Sequence, residues 1–144
     1  MKLMQRSRLS LLLAVLAAAG LAYDAKVHLH LAKTYDPVGT TITQGGLFRL
    51  EAVLAILVAV AVLVSDHRLV WLAVLGTGLA GVGAVLLYRY VNVGSIGPIP
   101  NMYEPTWFPE KTHSAYAEGA VAVIALFREA LRLRRPATAG SAAG

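Results

Sequence analysis

A chain of 144 residues that is 57% hydrophobic and 15% charged is long enough for one domain and too apolar for an ordinary soluble one. With no cysteine, it has no disulfides, thiolate metal sites or cysteine nucleophiles. Its net charge of +5 is not a nucleic-acid footprint, because the basic residues gather at the ends of apolar blocks instead of forming a stripe.

The apolar residues fall in four blocks nearly free of charge, at 9–22, 52–64, 69–87 and 120–127. A spanning helix needs about 20 apolar residues. The third block meets this alone; the others do so once a few polar residues at their ends are included. A soluble helical protein is the competing reading, but its helices would need a polar face, and block 52–64 has none. The expected fold is all-α: a polytopic membrane protein, an antiparallel bundle of four transmembrane helices in residues 1–135. The spans are expected at 9–33, 47–65, 69–91 and 113–135. The tail "PATAGSAAG", residues 136–144, is small and polar and is expected to be disordered on the cytoplasmic side.

The first predicted helix opens like a secretion signal, with a basic start, an apolar stretch and small residues at Gly20 and Ala22. Its apolar character continues through Val27, Leu29 and Leu31, which is the length of a span, so an uncleaved helix is the preferred reading. It ends in "DAKVHLHLAK", residues 24–33. His28 and His30 cannot share a metal on a helix, where residues two apart point about 200° from each other. The helical pairs are Asp24 with His28 and Lys26 with His30, on nearly opposite faces. Lys26, His30 and Lys33 are expected to snorkel to headgroups, and Asp24 and His28 to face the bundle.

Helices two and three are joined by "SDHR", a turn short enough to force antiparallel packing. Helix three carries "GTGLAG", which matches a dinucleotide fingerprint but has no preceding strand and lies within a long apolar helix. Close helix packing is the better reading, with Gly76, Ala80 and Ala84 as a ridge of small residues. The outer loop 92–112 holds four of the six prolines, together with Tyr103, Trp107 and Phe108. It suits an irregular segment at the membrane interface or a lid over the bundle.

Eight of the thirteen basic residues (Lys2, Arg6, Arg8, Arg68, Arg128, Arg132, Arg134 and Arg135) fall on one side of a four-span chain. By the positive-inside rule that side is cytoplasmic, which places both termini inside a bacterial plasma membrane. The opposite, outer half collects ionisable groups from every span: Asp24, His28, Arg49, Glu51, Arg89, His113 and Glu118. Ionisable groups at membrane depth are costly, so this cluster is either functional or a charge-balanced network that fixes helix register. Asp24 with His28 is the best proton-handling pair. Ser95 and Ser114 form no triad pattern with His113, and no catalytic residue, metal or cofactor is expected.

"HLHL" at the end of helix one and "GGLFRLEA" at the start of helix two resemble small four-helix inner-membrane proteins of high-GC actinobacteria, with a DoxX-like bundle as a neighbouring possibility. The resemblance implies a fold and no activity. Two function classes follow. One is a non-enzymatic accessory or scaffolding subunit, partnered by the bilayer and by a larger membrane complex or a second copy. The other is a small transporter or ligand-binding bundle that handles a proton, cation or lipid headgroup at the outer cluster. The apolar inner halves favour the first.

Overall fold

Helix starts in this chain are set by side chains that accept backbone N–H groups. Ser7 Oγ accepts from Ser10 N at 3.1 Å, Thr43 Oγ1 from Gly46 N at 3.0 Å, and His67 Nδ1 from Leu69 N at 3.2 Å. The fourth helix starts instead on a proline in its first turn, after an extended Phe108. The computed structural model describes residues 6–135. Its helices are α1 (Arg8–Ala32), α2 (Gln44–Val64), α3 (Arg68–Tyr90) and α4 (Pro109–Leu133). Among the described residues, the only β pairing is two isolated bridges, Gly39 with Thr43 and Ile96 with Ile99.

α1 and α3 begin and end within a residue of expectation. α2 begins three residues early because Thr43 caps it, and α4 four residues early because Pro109 supplies a preset first turn. The tail 136–144 lies outside the described residues.

α1, α2 and α3 are long and apolar enough to cross a membrane. At 1.5 Å per residue a 21-residue α2 is about 31 Å long, matching a hydrocarbon core of about 30 Å. Its outward residues are apolar, with Leu57 60% and Val60 54% exposed. A water-facing helix would carry charges there.

α1 packs against α2 and α4, and α3 against α4, whereas α2 and α3 touch sparingly. The helices therefore stand in the order α2, α1, α4, α3, with a loose seam between α2 and α3. The core is built mainly of small residues, among them Ala14, Ala17, Ala52, Ala55 and Ala125, closed by Leu21, Val62, Trp71 and Val121. Small residues let backbones approach, which is how helices gain packing contacts where water does not drive them together.

The small-residue face of α3 is not the expected one. Trp71, Val74, Gly78 and Gly81 form its buried stripe, while Gly76, Ala80 and Ala84 are exposed. A Cβ on Gly78 would stand 2.8 Å from Glu118 O, but one on Gly76 would meet nothing within 4 Å. Two positions along a helix turn the chain by about 200°, so the ridge at 76, 80 and 84 points away from α4.

Candidate functional site

The buried stripes of α1 and α4 are apolar in the middle and polar at both ends. On α1 the stripe runs from Ser10 through Leu13, Ala14, Ala17, Ala18 and Leu21 to Asp24. On α4 it runs from Ser114 and Glu118 through Val121, Ala122 and Ala125 to Arg128 and Glu129. Side by side, these stripes make two polar clusters. One lies at the end that carries the 91–108 loop, the other at the end that carries the three-residue turn 65–67.

At the loop end, Asp24 is 1% and Glu118 3% exposed. Ser114 Oγ donates to Asp24 Oδ1 at 2.6 Å and lies 3.4 Å from Glu118 Oε1. A hydroxyl has one hydrogen, and the shorter contact takes it, so Glu118 is left short of a donor. His28 Nδ1 stands 3.2 Å from Asp24 Oδ1 and 3.0 Å from the Asp24 carbonyl, the i,i+4 pairing that helical spacing requires. Three buried carboxylate oxygens, Asp24 Oδ2, Glu51 Oε1 and Glu118 Oε2, have no hydrogen-bond partner.

A cavity of about 340 Å³ opens beside this cluster, in the α2–α3 seam. Its polar lining includes His28, Gln44, Glu51, Lys111, Ser114 and Glu118; Leu47, Phe48, Ala84 and Val85 are apolar wall. Met102, Glu104 and Phe108 of the loop close the loop end. The loop is tied down by Glu104 N donating to Tyr88 O at 2.9 Å, and by Lys111 Nζ donating to the carbonyls of Glu104 and Thr106.

The seven residues expected as one outer cluster divide here. Asp24, His28, Glu51 and Glu118 come together, but the expected cations do not join them. Arg49 forms a two-pronged pair with Asp36 at 2.6 and 2.8 Å on the exposed surface, and these hydrogen bonds hold the Asp36 carboxyl below its ordinary range. Arg89 stacks on Tyr90 and Trp107, 4.7 and 5.7 Å from the ring centres. His113 is exposed and meets Tyr23 Oη at 3.2 Å. The reason is reach: both arginines start at helix ends and find partners in the loops before they find the interior. Charge balance within the cluster is therefore not achieved by arginine, and His28 is its one basic member among the described residues. Ser114 and His113 form no nucleophile–base pair, since Ser114 points inward to Asp24 and His113 outward to Tyr23.

The turn end holds a cluster that the sequence did not suggest. Asp66 accepts from Arg128 at 2.6 Å, Trp71 Nε1 at 2.8 Å and Ser10 Oγ at 2.8 Å, with Arg6 3.5 Å away. Arg132 donates to its carbonyl at 3.0 Å, and Arg6 to the carbonyls of Val62 and Leu63. Burial alone would raise the Asp66 carboxyl, but the hydrogen bonds from Arg128, Trp71 and Ser10 outweigh it and hold the pKa at about 2. Glu129 pairs with Arg68 at 3.1 Å. The available signal was an acid in the turn opposite two arginines one helical turn apart, Arg128 and Arg132. Comparison of the chain with protein-family models, with curated proteins and with solved structures finds no match, so the resemblance to actinobacterial inner-membrane proteins rests on the two sequence stretches alone.

Proposed function

We propose that the chain is a four-span integral membrane protein with both termini cytoplasmic, and that its loop-end cavity binds a small cationic ligand. The fourth span is supported by the faces of α4. Its polar residues Ser114, Glu118, Arg128 and Glu129 are buried, whereas Val123 is 65%, Leu126 53% and Phe127 48% exposed. Its charges lower its mean hydropathy but point inward, so its outer surface remains suited to lipid. Topology has a direct measurement: reporter fusions at Gly144 and within 101–110 should label opposite sides of the membrane, and labelling of one side by both would reject four spans.

One observation carries the ligand reading: Asp24, Glu51 and Glu118 have buried oxygens with no partner, beside a cavity with largely apolar walls. Its volume of about 340 Å³ suits a small molecule, near the lower end of known ligand pockets. Acidic groups at the floor select positive charge, and the walls favour an aliphatic body. Binding fits better than transport. Ser10 and Asp24 are fourteen residues apart on α1, so about 21 Å of alanine- and leucine-rich packing separates the two polar clusters.

Hexylammonium, hexanol and hexanoate serve as calorimetric probes of the detergent-solubilised protein. Hexylammonium should bind at least about tenfold tighter than hexanol, and Glu51→Gln should reduce that preference. Equal affinity for the amine and the alcohol would reject the cationic ligand. An accessory-subunit reading draws on a different feature, the exposed α3 surface at Gly76 and Gly83, where added Cβ atoms meet nothing within 4 Å. A helix of another membrane subunit or a second copy would fit against it.

A further inference from the structure

We propose that Asp24, His28 and Glu118 bind a first-row divalent metal ion, with Zn²⁺ and Mn²⁺ as the best-suited candidates. This rests on reading the loop-end cavity as a cation site and narrows the ligand to a metal. Each of the three residues offers one ligand atom, and the three atoms lie within 4.8 Å of one another. Metal–ligand bonds of about 2.1 Å place neighbouring donors about 3–3.5 Å apart, so loading draws the set in by about an ångström of side-chain rotation.

The independent observation is the pair of unsatisfied oxygens. Asp24 Oδ2 and Glu118 Oε2 are buried without a hydrogen-bond partner, on residues that are 1% and 3% exposed. Two carboxylates that close, out of water, need a shared proton or a positive charge between them, and a metal ion supplies the charge. Four basic side chains are committed elsewhere: Arg49 to Asp36, Arg89 to aromatic rings, Arg128 to Asp66, and Lys111, which lines the cavity, to loop carbonyls. A divalent ion balances the two carboxylates and satisfies both oxygens.

The scaffold holds the donors from three sides. Asp24 and His28 are one helical turn apart on α1, the spacing that puts two ligands on one face. Glu118 comes from α4 and is fixed by α3, where a Cβ on Gly81 would lie 2.4 Å from Glu118 Cδ. Behind the donors, Ser114 Oγ orients the Asp24 carboxylate at 2.6 Å, and the Phe48 ring meets His28 edge-on at 5.1 Å. Glu51 lines the cavity beside them and has a buried, unpartnered oxygen of its own.

Donor chemistry sets the metal class. An imidazole favours Zn²⁺ and its first-row neighbours over Mg²⁺ or Ca²⁺, while two carboxylates also suit Mn²⁺. To ligate through Nδ1, His28 takes the neutral tautomer that carries its proton on Nε2, so its hydrogen bond to the Asp24 carbonyl is exchanged for the metal. The remaining coordination positions face the cavity, where water or a small anion would complete the shell.

The test is calorimetry on full-length protein stripped with chelator in detergent, titrated with ZnCl₂, MnCl₂ and MgCl₂. One Zn²⁺ or Mn²⁺ per chain is expected, with Mg²⁺ weaker. Glu118→Gln and Asp24→Asn keep side-chain shape and should each weaken binding by at least about a hundredfold, whereas Asp36→Asn on the surface should not. Metal should also raise the melting temperature of the parent and not of Glu118→Gln, a readout that holds if a variant is poorly folded at the start. No binding of Zn²⁺ or Mn²⁺, or binding that the Asp24 and Glu118 variants leave unchanged, overturns the metal site. Hexylammonium binding without metal binding overturns this proposal and leaves the cationic cavity standing. Binding of neither probe overturns both.

Discussion

Asp66→Ala should destabilise the protein by about 3–5 kcal/mol, because it leaves the Arg128 guanidinium buried without its carboxylate. Arg128 is 4% exposed, so water cannot readily replace the lost partner. The same change removes the acceptor of Trp71 Nε1 and Ser10 Oγ, two donors in the packed turn end. These losses share one network and will not add. Adding Arg128→Leu to Asp66→Ala should therefore recover part of the stability, as happens when a buried pair is replaced by packing. Detergent melts of the two single variants and the double variant measure this. A double variant no better than Asp66→Ala would show that the hydrogen bonds to Ser10 and Trp71, not the ion pair, hold the turn.

The same carboxyl sets an acid limit. Its folded pKa is about 2, against an ordinary value of 3.8, so the unfolded chain takes up this proton first. The stabilisation is complete above about pH 4 and is lost as pH falls from there through about 2. The drop from 3.8 to about 2 corresponds to at most about 2.5 kcal/mol, reduced by solvent at the turn. Asp66→Asn should flatten the melting temperature across that window; an unchanged slope would assign the acid sensitivity to other carboxylates.

Gly78→Leu should cost about 3 kcal/mol, and Gly76→Leu close to nothing. At Gly78 a Cβ would already lie 2.8 Å from Glu118 O and 2.9 Å from Ala122 N, both backbone atoms that no rotamer change can move aside. A leucine there must push α3 off α4. At Gly76 nothing stands within 4 Å, and a leucine joins an apolar outer surface. Melting of the two variants in detergent decides it. A reversed order would mean that α3 is rotated by about half a turn. Equal losses would point to a partner helix on the Gly76 face.

The contrast between those glycines shows where sequence reasoning stops. "GTGLAG" announces close packing, but its glycines lie on both sides of the helix, and only the position of α4 selects Gly78 and Gly81 over Gly76. Periodicity was enough for α1: Asp24 is buried and Lys26 and His30 are exposed, as a 3.6-residue repeat requires. It failed for long side chains. Arg49 and Arg89 reach several ångströms from helix ends, so their partners depend on loop paths that hydrophobic pattern does not encode. Asp66 was missed for a related reason. In a four-residue turn it reads as a solvated charge, and its burial arises only when Arg6, Ser10, Trp71 and Arg128 converge from three other stretches of chain.

The loose seam between α2 and α3 has a consequence for the route and apparent strength of binding. In the proposed four-span arrangement the seam would face lipid, and a ligand with an aliphatic body would reach the cavity through the leaflet. Such an amphiphile concentrates in the headgroup region before it meets the protein. The dissociation constant measured against total ligand would then fall as the partition coefficient rises, even with identical contacts inside the cavity. Lengthening the alkyl chain would strengthen binding through the membrane reservoir first, and diluting the protein into more lipid would weaken it.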